Sequence, residues 1–367
     1  VHRVQLHYTL GREGGPAQIR NPLLDLLHAL AQRGSISAAA RELGLSYRHV
    51  WGELKRWEGE LGHPLVVWEK GQPARLTEFG TKLLWAERQA QARLQPQIEA
   101  LRAELDRAFA VAFDDSAHVL TFYASHDEAL AALRELARGR SQPLHLDIRF
   151  TGSVDAIRAL NEGRCLMAGF HTLEDAAPGT PIQRAYKPLL QPGLHKLIGF
   201  ARRSQGLIVP RGNPRHLYTL RDVATKRARF ASRARGSGTR VLLDELLRRA
   251  DLDAAALPGY EGDEPSHAAV AQAVAAGKAD AGLGILATAL AHGLDFVPLV
   301  EERYHLACLK SALEEPAVAA LLQLLRSAEW QSRLAALPGY RPADSGEVLS
   351  MRQLLPWWTF RKAKAAV

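Results

Sequence analysis

Between residues 35 and 80 the chain reads SISAAARELGLSYRHVWGELKRWEGELGHPLVVWEKGQPARLTEFG, and few folds accommodate that order of caps, glycines and apolar residues. Just upstream, Asn21-Pro22 predicts a helix start. Asparagine accepts from free N–H groups at an N-cap, and proline's missing N–H costs nothing at the first helical position. Leu23, Leu27 and Leu30 share one face of this helix, and Gly34 is placed to end it. Ser37 is expected to cap a short second helix over 38–43, Gly44 to supply a sharp turn, and Ser46 to cap a third helix. On that third helix Val50, Leu54, Trp57 and Leu61 line one side. Tyr47, Arg48, His49, Gly52, Lys55 and Arg56 fall mostly elsewhere. Two short strands over 65–68 and 74–76 flank Lys70-Gly71-Gln72-Pro73. The whole reads as a helix-turn-helix followed by a β wing.

An apolar back with a basic, aromatic front suits a helix that enters the major groove of DNA. Arginine and lysine pair with phosphates or the guanine edge, and tyrosine and histidine do either. The expected DNA contacts are Ser37, Ser46, Tyr47, Arg48, His49, Lys55 and Arg56, joined by Lys70 and Arg75 from the wing. An ordinary three-helix bundle with a solvated basic face is the bland alternative. The agreement of helix lengths, glycine placement and wing argues against it.

At 367 residues the chain has room for two or three domains, and its 47% hydrophobic content is enough to bury real cores. A net charge of +8 favours a polyanionic partner. The excess is not confined to the head: residues 202–249 are also rich in arginine, which suggests a second anion site or a basic surface. Cys165 and Cys308 lie far apart, with no metal-binding spacing, and read as buried thiols in a reducing compartment. No charged-then-apolar leader is evident, and the apolar stretch 268–300 is broken by Lys278, Asp280, His292 and Asp295. A cytoplasmic protein without a membrane span, metal or cofactor is expected.

Residues 4–9 read as a strand able to pair with the wing, and 11–16 as a loop. After Thr77 a long helix is predicted towards Phe109. Leu94, Ile98, Leu101 and Leu105 follow the spacing of a coiled-coil seam, with Pro96 placed to kink it. Homodimerisation through this helix is favoured, with tetramers open, because winged heads commonly read two half-sites. Residues 114–116 read as a linker. From His118 strands and helices alternate: strands over 119–124, 144–150, 166–170, 196–200, 206–209, 228–231, 281–285, 296–299 and 304–308, and helices over 127–137, 154–160, 220–225, 239–249, 267–276 and 316–334. Such alternation implies mostly parallel sheets, here two, in a two-lobed fold with a ligand at the strand C-termini. The expected domains are 1–82, 83–113, 117–345 and a tail, 346–367.

Three strand-to-helix junctions carry small polar residues: Ala124-Ser125-His126-Asp127, Thr151-Gly152-Ser153, and Arg235-Gly236-Ser237-Gly238-Thr239-Arg240. Each sets hydroxyls and backbone N–H groups at a helix N-terminus, where the dipole favours an anion. No phosphate-binding GxxxxGK[ST] loop is present. Plain helix capping explains any one junction; three together mark a cleft. The candidate effector residues are Ser125, His126, Thr151, Gly152, Ser153, His171, Ser237, Gly238, Thr239 and Arg240. Nothing supplies a convincing nucleophile and base, so no catalytic residue is expected.

The head resembles that of molybdate-responsive, ModE-type regulators in Ser46-Tyr47-Arg48 and Trp51, and that of LysR-type regulators in Glu60-Leu61-Gly62-His63-Pro64-Leu65. Leu76, Thr77 and Gly80 match a segment both share. The three junctions, with Ala168-Gly169-Phe170-His171 and Ser345-Gly346-Glu347-Val348, resemble periplasmic-binding-protein-like domains of the molybdate-binding type. Asp155-Ala156 departs from that pattern, which often has glycine and leucine there. The resemblance covers nearly the whole chain. It implies an α-rich winged helix-turn-helix, a long linker helix and a two-lobed α/β domain of the type II periplasmic-binding-protein-like fold. Within that class the chain is similar to regulators of molybdenum-dependent formate dehydrogenase operons. The expectation is a transcriptional regulator that binds an operator in double-stranded DNA and senses a small anion, formate or else molybdate or tungstate. A solute-binding protein would need an export signal and no winged head; an enzyme would need a reactive constellation.

Overall fold

The computed structural model describes residues 21–68, 72–113, 118–139, 144–174, 177–355 and 357–358. The expected strand over 4–9, the loop 11–16, Lys70 and the linker 114–116 lie outside these residues. The chain divides into two compact units, one ending at Gln95 and one beginning at Pro96.

In the first unit α1 is Pro22–Arg33, capped by the Asn21 side chain and closed by Gly34 at φ 63°. Helix α2 is Ile36–Glu42. Its cap is Ser35, not the expected Ser37: the Ser35 hydroxyl accepts from Ala38 N, so the helix begins two residues earlier. That start buries Ile36 and leaves Ser37 exposed on the helix surface. Gly44 turns the chain at φ 66°. Helix α3, Tyr47–Leu61, is capped by Ser46 and ended by Gly62. Val50 and Leu54 are buried against α1 and α2, with Trp57 and Leu61 packed half-buried at the edge. Strands β1, Val66–Val67, and β2, Arg75–Leu76, pair antiparallel as the wing. Helix α4, Glu78–Phe113, runs through the division between the units, and Pro96 does not end it.

The second unit is a curled α/β fold. Strand β3 (His118–Ala124), α5 (Glu128–Arg138), β4 (Leu144–Phe150), α6 (Ser153–Asn161) and β5 (Met167–Leu173) come first. Then follow α7 (Pro181–Tyr186), β6 (His195–Val209), α8 (Leu220–Thr225), β7 (Phe230–Ala231), α9 (Gly238–Arg249), α10 (His267–Ala275), β8 (Ala281–Ile285) and α11 (Leu286–Ala291). Strand β9 (Asp295–Leu309), α12 (Pro316–Arg326), α13 (Ala328–Ala335), β10 (Tyr340–Pro342), β11 (Val348–Leu349) and α14 (Met351–Leu354) complete it.

Among the described residues the strands form one sheet, ordered β4-β3-β5-β9-β6-β8-β7, with β10 and β11 also on β6. This corrects the expectation of two sheets. Residues 196–209 and 296–308 each form a single strand, and the two pair antiparallel from His195↔Leu309 to Val209↔Asp295. Polar residues in mid-strand, Arg203, Gln205 and Glu302, look like breaks in the pattern. They are buried because they satisfy one another. The sheet is also less parallel than expected: β3–β4, β3–β5 and β7–β8 are parallel, while β5–β9, β6–β9 and β6–β8 are antiparallel. Helices α7 and α11 were not anticipated, and the run 316–334 is split by Ser327, which caps α13. One apolar cluster packs around Phe122, Leu130, Phe200 and Trp330, and another around Ile157, Phe170, Leu243 and Leu283.

Candidate functional site

At the head, Ser46, Tyr47, Arg48 and His49 all sit exposed at the start of α3. Tyr47 is 53% exposed and stacks parallel on Trp51. Arg48 makes no ion pair among the described residues. Lys55 and Arg56 are also exposed but differently engaged: Lys55 bonds Glu58 at 2.8 Å, and Arg56 bonds Glu53 and Glu60 at 2.7 and 2.8 Å. Lys55 also lies over the rings of Trp51 and Trp68. Arg75 is exposed on the wing. The N-terminal turn of α3 therefore presents one uncommitted cation beside two polar aromatic rings.

In the second unit the three junctions converge. The Ser125 and Ser153 hydroxyls lie 3.4 Å apart, both buried. A Cβ on Gly238 would stand 2.8 Å from Ser153 Oγ and 2.7 Å from the His171 ring; one on Gly152 would stand 2.6 Å from the Gly236 carbonyl. Only glycine allows those approaches. The Val154 N–H donates to the Gly236 carbonyl at 3.2 Å, tying α6 to the loop before α9. The N–H groups of Gly238 and Thr239 open α9, where no intrahelical carbonyl is available to them. Thr239 Oγ1 is 3.5 Å from both Gln205 Nε2 and His267 Nε2.

Beneath these groups lies a buried ion network. Arg203 donates from Nε to Glu302 and from Nη1 to Asp127, and its Nη2 is 3.3 Å from His171 Nε2. The Tyr340 hydroxyl donates to Asp127 at 2.8 Å, and Gln205 donates to Glu302 at 3.0 Å. Burial opposes the charge on Arg203, but Glu302 and Asp127 outweigh it and hold the guanidinium well above its ordinary value. Burial, reinforced by the nearby arginines, pushes His171 and His267 well below theirs, so both rings are neutral at neutral pH.

Of the expected effector residues, Ser125, Ser153, His171, Gly238 and Thr239 come together, and Gly152 packs on the adjoining loop. Thr151 is half-buried beside them. Ser237 spends its hydroxyl as the cap of α9, donating to the Ala234 carbonyl and accepting from Arg240 N. Arg240 is engaged elsewhere: its Nη1 reaches Ser232, Arg233 and Gly262 oxygens, and the guanidinium stacks 3.7 Å above the Tyr260 ring. His126 faces Glu99 of α4 at 3.4 Å and packs on Phe150. Sequence reading missed Arg203, Gln205, Arg233, His267 and Glu302. They come from β6, β9, the segment after β7 and the first position of α10, and no local motif marks them. Among the described residues no His/Cys/Asp/Glu group has metal-binding geometry, and both cysteines are buried, with burial raising Cys165 to about 12 and Cys308 to about 11.

One chain thus carries a winged helix-turn-helix and a curled α/β domain with a buried polar cluster, a helix-turn-helix joined to a binding-type domain. Residues 134–326 match the PBP superfamily domain, and residues 22–81 match the bacterial regulatory helix-turn-helix protein, lysR family. The chain belongs to the PBP superfamily and carries a lysR-type helix-turn-helix ahead of that domain. It is 32% identical over 201 residues to the uncharacterized protein YvgK of Bacillus subtilis (strain 168), spanning 55% of this chain and 64% of that protein. It is 36% identical over 80 residues to the molybdenum-pterin-binding protein MopA of Rhodobacter capsulatus, spanning 21% of this chain and 30% of that one. A crystal structure of a probable transcriptional regulator from Pseudomonas aeruginosa aligns with a TM-score of 0.42 at 17% identity, over 83% of this chain and 95% of that chain. No helix among the described residues is long and apolar enough to cross a membrane.

Proposed function

We propose that this chain binds an operator through α3 and the wing, and that a small oxyanion in the second unit controls that binding. Formate is the preferred effector, with control of a formate dehydrogenase operon as the biological setting. The observation that carries this reading is the convergence of Ser125, Ser153 and Thr239 with the open N-terminus of α9 in a buried, polar cluster. Hydroxyls and backbone N–H groups at helix N-termini are suited to an anion that water no longer reaches. Dimerisation through α4 would present two heads to two half-sites.

Molybdate or tungstate is the second reading. The likeness to MopA favours it, although it covers 30% of that protein. Calorimetric titration of the purified protein with formate, molybdate and tungstate in a low-anion buffer separates the two. Heat with formate alone supports a sensor of a carboxylate substrate. Heat with the tetrahedral oxyanions alone supports a sensor of metal supply. Silence from all three rejects both.

A further inference from the structure

We propose that Arg233 is the cation that holds the effector, and that the site is built for a small oxyanion carrying a single negative charge. This rests on the effector reading above and names the charge class and the partner of that same site.

Arg233 lies just past the end of β7 and is 5% exposed. Its Nε and Nη2 donate to the backbone carbonyls of Glu264 and Pro265, each at 3.1 Å. Nη1 is buried with no hydrogen-bond partner among the described residues. A buried guanidinium nitrogen in that condition is costly, and such groups in native structures call for a reason. The Pro265 carbonyl that Arg233 holds lies two residues before His267, whose Nε2 is 3.5 Å from Thr239 Oγ1, so Arg233 adjoins the Thr239 cluster. Burial first, then Arg203, pushes it down to about 10, which leaves it charged at neutral pH. Gln205 Oε1, His267 Nδ1 and the Tyr304 hydroxyl in the same network also lack hydrogen-bond partners among the described residues.

The charge balance selects the ligand. Arg203 already has two carboxylates, Asp127 and Glu302. Arg233 adds one positive charge, and His171 and His267 add none. Arg203, Arg233, Asp127 and Glu302 taken together are therefore neutral. The partly exposed Glu264 acts on Arg233 less than burial and Arg203 do, and only adds negative charge. Without Glu264, a monoanion leaves one negative charge among these groups, set against roughly half a positive charge from the α9 N-terminus. A dianion leaves two, and the desolvation cost of an ion grows with the square of its charge. The close approaches at Gly152 and Gly238 also favour a compact ligand.

The test is calorimetric titration of the full-length protein, wild type, Arg233→Gln and Arg233→Lys, with formate, neutral formamide and molybdate. Wild type should bind formate and ignore formamide. Arg233→Gln should bind formate on the order of 30-fold more weakly, as expected for loss of a charge-assisted hydrogen bond, and Arg233→Lys should recover part of it. Thermal melts confirm folding; should Arg233→Gln fail to fold, Arg233→Lys and the formate–formamide contrast decide. Equal formate affinity in all folded variants, or equal binding of formamide, overturns the role of Arg233 and leaves the effector reading standing. Tighter binding of molybdate than formate overturns the single-charge class. No binding of either anion by wild type removes the effector reading itself.

Discussion

Glu99 Oε2, on α4, lies 3.4 Å from His126 Nε2, and His126 stands between Ser125 and Asp127 in the chain. Three consecutive residues thus face three partners: Ser125 the Ser153 hydroxyl, His126 the long helix, and Asp127 the Arg203 guanidinium. A ligand that draws on Ser125 would act on His126 as its covalent neighbour, and Glu99 is the group His126 faces. Glu99→Gln is expected to leave effector affinity unchanged while removing roughly 1 kcal/mol of the coupling between effector and DNA binding. Fluorescence anisotropy on operator DNA, with and without saturating formate, measures it. An undiminished formate response would show that this pair transmits nothing.

Arg48, at the start of α3, has no ion pair among the described residues, so its removal should weaken operator binding by about 1–3 kcal/mol. Lys55→Ala and Arg56→Ala should cost less, because both side chains already bond glutamates on their own helix. Binding isotherms at several salt concentrations check both points, and steep salt weakening of the wild type is expected from counterion release. Unchanged affinity in Arg48→Ala would displace the contact surface from this turn.

Thr239→Ala and Ser153→Ala each remove a buried hydroxyl of the cluster and should shift the effector response to higher effector concentration while DNA binding persists. Each lost hydrogen bond is worth about 1 kcal/mol, close to fivefold in affinity. Calorimetry and operator binding on the same preparations separate the two activities. A normal response from both variants would place the effector elsewhere.

Acid should destabilise the second unit from a higher pH than carboxylates alone would cause. Burial, reinforced by nearby positive charge, depresses His171 and His267 well below their ordinary value and His305 to about 3. The unfolded chain then binds more protons than the folded one between the depressed values and about 6.5. Stability contributed by each neutral ring is complete above about 6.5 and falls by roughly 1.4 kcal/mol per pH unit below it. Urea midpoints from pH 7.5 to 5 measure this, and a flat profile across that range contradicts it.

Much of the head was legible because its signals are local. The Asn21-Pro22 start, the left-handed turns at Gly34 and Gly44, the Ser46 cap and the wing strands each depend on residues within a few positions of one another. The second cap was misread by two residues because Ser35 and Ser37 have the same chemistry; burial of Ile36 favours the earlier start. The glycine-serine-threonine junctions of the effector domain were equally visible.

The sequence by itself determined the reading head, the long helix, the alternating strands and helices, and the hydroxyls at the helix N-termini. Caps, turns and apolar periodicity operate over a few residues, so they can be read along the chain. Only the tertiary structure decided that β6 and β9 each run unbroken through the sheet, that Arg203 meets Asp127 and Glu302, and that Arg233 rather than Arg240 is left with a buried, unpartnered nitrogen. Charges in mid-strand look like breaks until their partners arrive from some hundred residues away, and electrostatic pairing across such distances leaves no periodic trace in the sequence.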